Sequence, residues 1–95
     1  MGKADLVRGE FLFAGLNCFE PGQQHEPHAH PGQDKMYFLL EGSGLVQIGE
    51  QQEELAAGDI AFAPAGVMHS IRNTGSGRLV VLAVLGPAPK QGFMN

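Results

Sequence analysis

Two stretches decide the reading: GQQHEPHAHPGQDKMYFLLEG at residues 22–42 and GDIAFAPAGVMHSIRN at residues 58–73. Three of the four histidines, His25, His28 and His30, fall within six residues of the first stretch, and His69 lies in the second. On a β-strand, residues i and i+2 face the same side with Cα atoms roughly 6.5–7 Å apart. His28 and His30 on a short strand therefore set two imidazoles side by side, a workable bite for a divalent metal. Pro27 before them and Pro31-Gly32 after them frame that strand. A metal with open positions needs a third ligand from elsewhere. His69, just after the Pro64-Ala65-Gly66 turn, supplies it if its strand faces the first across the interior. His25 is an odd number of residues from His28, so a regular strand turns it away toward the surface, and a distortion at Pro27 leaves the alternative of a place at the rim or directly behind the ligands.

Working outward, the chain reads as many short strands. Gly and Pro together number 20 of 95 residues and are spread throughout, which punctuates strands rather than long helices. The candidate strands are Glu10 to Phe19, His28 to His30, Lys35 to Leu40, Leu45 to Ile48, Glu53 to Leu55, Ile60 to Ala63, Val67 to Ile71 and Arg78 to Leu85. The segment EQQEELAA at 50–57 has helix-favouring composition, but its short length between strand patterns makes it a hairpin turn leading into a strand. Eight strands at spacings of roughly 8–12 residues predict an all-β sandwich or barrel. One domain accounts for the length, with a core over about residues 10–86 and a loose tail or dimer strap at 87–95.

Composition narrows the function classes. The formal net charge is −4 and the sequence pI is near 5.4, with Lys and Arg scattered. No basic patch exists for nucleic acid or an anionic membrane. Charged residues are only 17% of the chain, which suits a domain that buries part of its surface in an oligomer. Cys18 is the single cysteine, so no internal disulfide forms, and it reads as a small apolar packing residue. The N-terminal residues lack an apolar segment of the signal-peptide kind, and Leu79 to Leu85 is too short to span a bilayer as a helix. The expected location is cytoplasmic.

The two stretches resemble the paired motifs of the cupin superfamily. The first reads Gly22, five residues, His28-x-His30, four residues, Lys35, six residues, Gly42; the second reads Gly58, five residues, Pro64-x-Gly66, two residues, His69, three residues, Asn73. The second matches at every fixed position and the first at all but one. The resemblance implies a small antiparallel jelly-roll barrel (a double-stranded β-helix) with one metal ion near one mouth. It also implies a frequent homodimer. The expected metal is one divalent transition ion per chain, Fe, Mn, Ni, Zn or Cu, held by His28, His30 and His69.

The departure falls at Lys35, where the family usually has a Glu that completes the metal set. Strand phase puts Lys35, Tyr37 and Leu39 on one face, and the resemblance implies that this face is the interior. Asp34, next to it, also fits the family spacing, and Gln33, Glu26 or water are further options for the fourth position. Three-histidine sites in this superfamily occur among iron-dependent dioxygenases. Lys35 is then a candidate catalytic residue that pairs with or deprotonates an anionic substrate. Tyr37, Phe62 and Met68 are candidate pocket residues. Three functions are carried forward: an oxygenase-type enzyme of a small chelating or anionic substrate, a non-catalytic ligand-binding or sensing module with a structural metal, and a metal-dependent isomerase or cyclase. Gly22, Gly42, Gly58 and Gly66 read as turn residues, Asn73 as a turn-backbone partner, and the Phe residues as core or interface.

Overall fold

Alternation dictates the main sheet. In FAGLNCF at 13–19 and LVVLAVL at 79–85, every second residue is buried and the residues between are half-buried. These two segments pair antiparallel in full register, from Phe13 opposite Leu85 to Phe19 opposite Leu79. The computed structural model describes residues 1–87; the tail expected from Pro87 to Asn95 lies, past Pro87, outside the described residues.

The strands are β1 (Gly2–Arg8), β2 (Phe13–Phe19), β3 (Gln24–His28), β4 (Asp34–Glu41), β5 (Ser43–Ile48), β6 (Gln51–Ala56), β7 (Ile60–Ala63), β8 (His69–Arg72) and β9 (Leu79–Gly86). They form two antiparallel sheets, ordered β1-β2-β9-β4-β7 and β3-β8-β5-β6. Most neighbours are distant in sequence; only β1–β2 and β5–β6 are consecutive pairs. That crossing pattern is the jelly-roll arrangement expected, built as two facing sheets. Phe19, Tyr37, Leu39, Leu79, Val81 and Ala83 from the larger sheet pack against Val46 and Ile71 from the smaller one. The 50–57 segment is a strand after a Gly49-Glu50 turn, paired with β5.

Two strand assignments differ from the sequence reading. β1 was not expected; all seven of its residues are exposed, and it edges the sheet against β2. The strand at the first motif runs from Gln24 to His28 and not from His28 to His30. Its ladder with β8 slips between His25 and His28, beside Pro27, whose missing N–H suits an edge-strand irregularity.

The turn glycines are required by geometry. Gly42 has φ of +84°, and a Cβ there would run into the Arg78 carbonyl oxygen. The tight β4–β5 connection can thus approach the start of β9 only without a side chain. Asn73 ties the end of β8 down. Its amide donates to the carbonyls of Phe19 and Gly77, and its Oδ1 accepts from the Gly75 N–H.

The larger sheet is apolar on its outward face as well as over most of its inward one. Its outward rows run Ala14–Val84–Met36–Phe62 and Leu16–Leu82–Phe38–Ile60 by direct register. An antiparallel sheet with one solvated face ordinarily alternates apolar and polar residues. Here Ile60 and Phe62 remain 57% and 52% exposed, and neither row carries a charge. Cys18 belongs to this outward face, half-buried, and is a free thiol.

Candidate metal centre

β3 and β8 lie side by side in the smaller sheet, and His28 is directly opposite His69 in their register. The expected placement of His69 across the interior from His28 is therefore corrected: the two are lateral neighbours. His30 follows β3 in a turn, where its carbonyl accepts the N–H groups of Gln33 and Gly66. The ligand-type nitrogens of His28, His30 and His69 all lie within 4.8 Å of one another. Ring centroids are 4.4 Å apart for His28–His69, 4.8 Å for His28–His30 and 5.3 Å for His30–His69. His30 and His69 are buried and His28 is half-buried at the rim.

The ring orientations suit a metal ion. His28 Nδ1 lies 2.7 Å from the Glu26 carbonyl, and His69 Nδ1 lies 3.0 Å from the Val67 carbonyl. A carbonyl only accepts, so each Nδ1 carries the proton and each Nε2 keeps its lone pair. A second hydrogen bond that fixes the tautomer is what a metal-binding imidazole uses. His69 Nε2 is buried with no hydrogen-bond partner among the described residues. The donor set thus fits a divalent transition ion with positions left over for a ligand.

The family model for the cupin domain matches residues 15–85. The chain belongs to the cupin family. This cupin is 36% identical over 74 residues to the oxalate-binding protein of Thermotoga maritima, an alignment that covers 78% of this chain and 60% of that protein. The chain therefore spans less than two thirds of that relative's length. The crystal structure of TT1209 from Thermus thermophilus superposes with a TM-score of 0.89 at 39% identity, over 94% of this chain and 85% of that one. That of a predicted oxalate decarboxylase from Thermotoga maritima gives 0.85 at 29% identity, over 90% and 78%.

Within the cupin site, the oxygen donors considered for a fourth ligand are engaged elsewhere. Asp34 is exposed, and its Oδ1 accepts from the Ala65 N–H at 2.9 Å. Alternation explains this, since its neighbour Lys35 takes the inward position. Gln33 donates to the Pro87 carbonyl and Glu26 accepts from Gln24, both at exposed positions. Lys35, Tyr37 and Leu39 face inward as strand phase required, each 1% exposed or less. Lys35 Nζ sits 4.8 Å from the Tyr37 ring centroid, and that ring is 6.0 Å from His69. Tyr37 thus stands between the Lys35 amine and His69, and Lys35 acts electrostatically on all three imidazoles. Of the other pocket candidates, Phe62 lines a groove of about 270 Å³ between the β6 and β7 edges, which none of the three histidines lines. Met68 is turned out beside the inward His69 and is 50% exposed.

Burial sets the protonation states. It lowers His30 and His69 to about 4 and His25 to about 3, and it lowers His28 as well. Nearby Lys35 pushes each in the same direction. Burial, with Lys3 beside it, brings Lys35 down to about 7, and burial raises Tyr37. At neutral pH the imidazoles are uncharged, the form that binds a metal. The unfolded histidines take up protons near pH 6.5, whereas the folded ones resist until about pH 3–4. The contribution of these histidines to folding stability is thus full above pH 6.5 and is lost progressively as pH falls from there to about 3–4. A melting temperature of the metal-free protein that stayed flat across that window would contradict these environments.

Sequence reasoning missed two groups at this site. His25, expected at the surface or rim, is only 6% exposed, with its ring 5.2 Å from Phe19 and 5.8 Å from His28. The slipped register between His25 and His28 reverses the odd-spacing argument. Asn17, fully buried on β2, was not singled out. The period-2 run Phe13, Gly15, Asn17, Phe19 carries the signal, because it puts a polar amide on the core face.

Proposed function

We propose that this cupin holds one divalent transition metal with His28, His30 and His69 and binds there a small chelating anion, on which it acts as an oxygenase-type enzyme. The observation that carries the reading is the charge balance. Three uncharged imidazoles and the buried Lys35 stand together with no carboxylate in the cluster among the described residues. The charged-type side chains acting on these histidines are the basic Lys35 and Lys3, with no acidic one among them. With a divalent ion added, such a site is electron-poor and calls for an anionic ligand to balance it. When bound, the metal supplies Lewis acidity and open positions for a chelating ligand and dioxygen. The chain's own contribution is to orient the imidazoles through Glu26 and Val67, to keep them unprotonated by burial, and to place Lys35 where it pairs with the anion.

A second reading, a non-catalytic binding or sensing module, is favoured by the relative named as an oxalate-binding protein. We place the protein in the cytoplasm, in keeping with its free Cys18. We assign the apolar outer face of the five-stranded sheet to a homodimer contact.

One experiment separates the readings. The protein is loaded anaerobically with Fe(II), Mn(II) or Zn(II) and titrated with oxalate by calorimetry. Oxygen uptake is then followed with oxalate, diketones, thiols and catechols. Metal-dependent oxalate binding supports the anion site. Oxygen uptake that requires Fe(II) supports the enzyme, and tight binding with no uptake under any metal supports the module. Lys35→Met is expected to weaken oxalate at least 10-fold, the loss of one charge-assisted contact of about 1.5–3 kcal/mol, with metal content unchanged. Equal affinity would remove Lys35 from the role.

A further inference from the structure

Beyond the three histidines, a second set of polar groups is sealed in the interior. Asn17 is fully buried, and neither its Nδ2 nor its Oδ1 has a hydrogen-bond partner among the described residues. His25 is 6% exposed, and both of its ring nitrogens are in the same condition. Lys35 Nζ and Tyr37 Oη are also buried with no hydrogen-bond partner among the described residues. Buried polar groups in native proteins are almost always paired, with protein, with ordered water or with a ligand. Four such side chains in one interior, beside a metal-type cluster, point to a ligand.

Asn17 and His25 are neighbours of one region. Asn17 shares the inward face of β2 with Phe19, two residues on, and the Phe19 ring lies 5.2 Å from that of His25. Lys3 is directly opposite Asn17 in the β1–β2 register and is one of the charges felt by His25. His25 in turn stands 5.8 Å from His28, at the edge of the triad. His25 thus stands between Phe19 and the edge of the triad, and Asn17 lies two residues from Phe19 on the same inward face. An amide offers two N–H donors and an uncharged imidazole offers one. Such donors, next to two cations, suit a carboxylate.

We propose that Asn17 and His25 form the second anchoring point of the site, donating hydrogen bonds to the carboxylate of a small dicarboxylate that lies remote from the histidine triad. This rests on the metal-anchored anion reading above and adds to it the residues that set ligand class: dicarboxylates are held at two points, monocarboxylates at one.

The signature differs from that of a structural pair. Replacing an unpaired buried polar group by an apolar one of similar shape is neutral or stabilising for the fold. The test titrates Zn(II)-loaded protein with malonate, succinate and acetate by calorimetry, for wild type, Asn17→Leu and His25→Phe. The expected result is a wild-type preference of at least 10-fold for a dicarboxylate over acetate. Each variant loses that preference while keeping its zinc content and an equal or higher melting temperature. In the wild-type protein, the Asn17 side-chain amide and His25 ring resonances shift on adding malonate or succinate; this measurement needs no variant to fold. Wild-type protein that binds a dicarboxylate with those resonances unmoved, or variants that bind it as tightly, would overturn this inference and leave the anion site standing. Wild-type protein that binds neither dicarboxylate under zinc would overturn the anion reading and this inference together.

Discussion

The double variant His28→Ala/His30→Ala is expected to lose stoichiometric metal binding while remaining folded. The change removes two of the three imidazoles whose nitrogens lie within 4.8 Å of one another, and His69 alone is a single-point ligand. The backbone contacts at the two positions do not need the rings. His28 ends an edge strand at a half-buried position. His30 anchors its turn through its backbone carbonyl, which accepts from Gln33 and Gly66 whatever the side chain. Metal content after dialysis should fall from about one ion per chain to near zero. A linked effect follows from mass action: metal at 100 times its Kd adds about 2.7 kcal/mol to the wild-type fold. For a domain of this length that is on the order of 10 °C or more in melting temperature, removable by chelator. The double variant should show no chelator response. Full metal occupancy in the variant would sink the assignment of the triad, and a wild-type melting temperature indifferent to chelator would show that the ion does not support the fold.

Much of this site was legible because its spacing is local. The His28-x-His30 pair, the Pro64-x-Gly66 turn and His69 stand at fixed offsets, and such offsets survive errors in strand boundaries. Strand phase also settled Lys35 against Asp34: with a period of two, an inward Tyr37 and Leu39 force Lys35 inward and Asp34 outward. What remained hidden depends on pairing. The slip between His25 and His28 reverses the face of His25, and Pro27 between them marks a place for an irregularity without fixing its direction. β1 carries no apolar alternation because all of its residues are exposed, so periodicity gave it no signal. His69 was placed across the interior rather than beside His28 because the β3–β8 pairing joins segments some 40 residues apart. The doubly apolar character of β9 was visible as a continuous Leu/Val run, but only the register with β2 and β4 turns it into a continuous face.

That face carries the other large expected effect. Leu82 lies at its centre, with Leu16 to one side and Phe38 to the other in direct register. Leu82→Glu is expected to convert a two-chain particle to a single chain in light scattering at micromolar concentration. In a two-fold symmetric contact the same substitution enters twice, once from each copy. Each buried, unpaired carboxylate costs about 2–3 kcal/mol, so dissociation should strengthen roughly a thousand-fold or more. The fold itself should tolerate the change, because Leu82 points away from the core and Val81 and Ala83 supply the inward contacts. Metal content should therefore be retained in the dissociated chain, since the triad sits on β3, β8 and the turn after β3, in the other sheet. A wild-type chain that runs as a monomer would leave two rows of apolar side chains facing water, contrary to what monomeric surfaces allow, and would reject the dimer face. A Leu82→Glu protein that stays dimeric would move the contact to another surface, with the exposed edge β1 and its Leu6 and Val7 the next place to test.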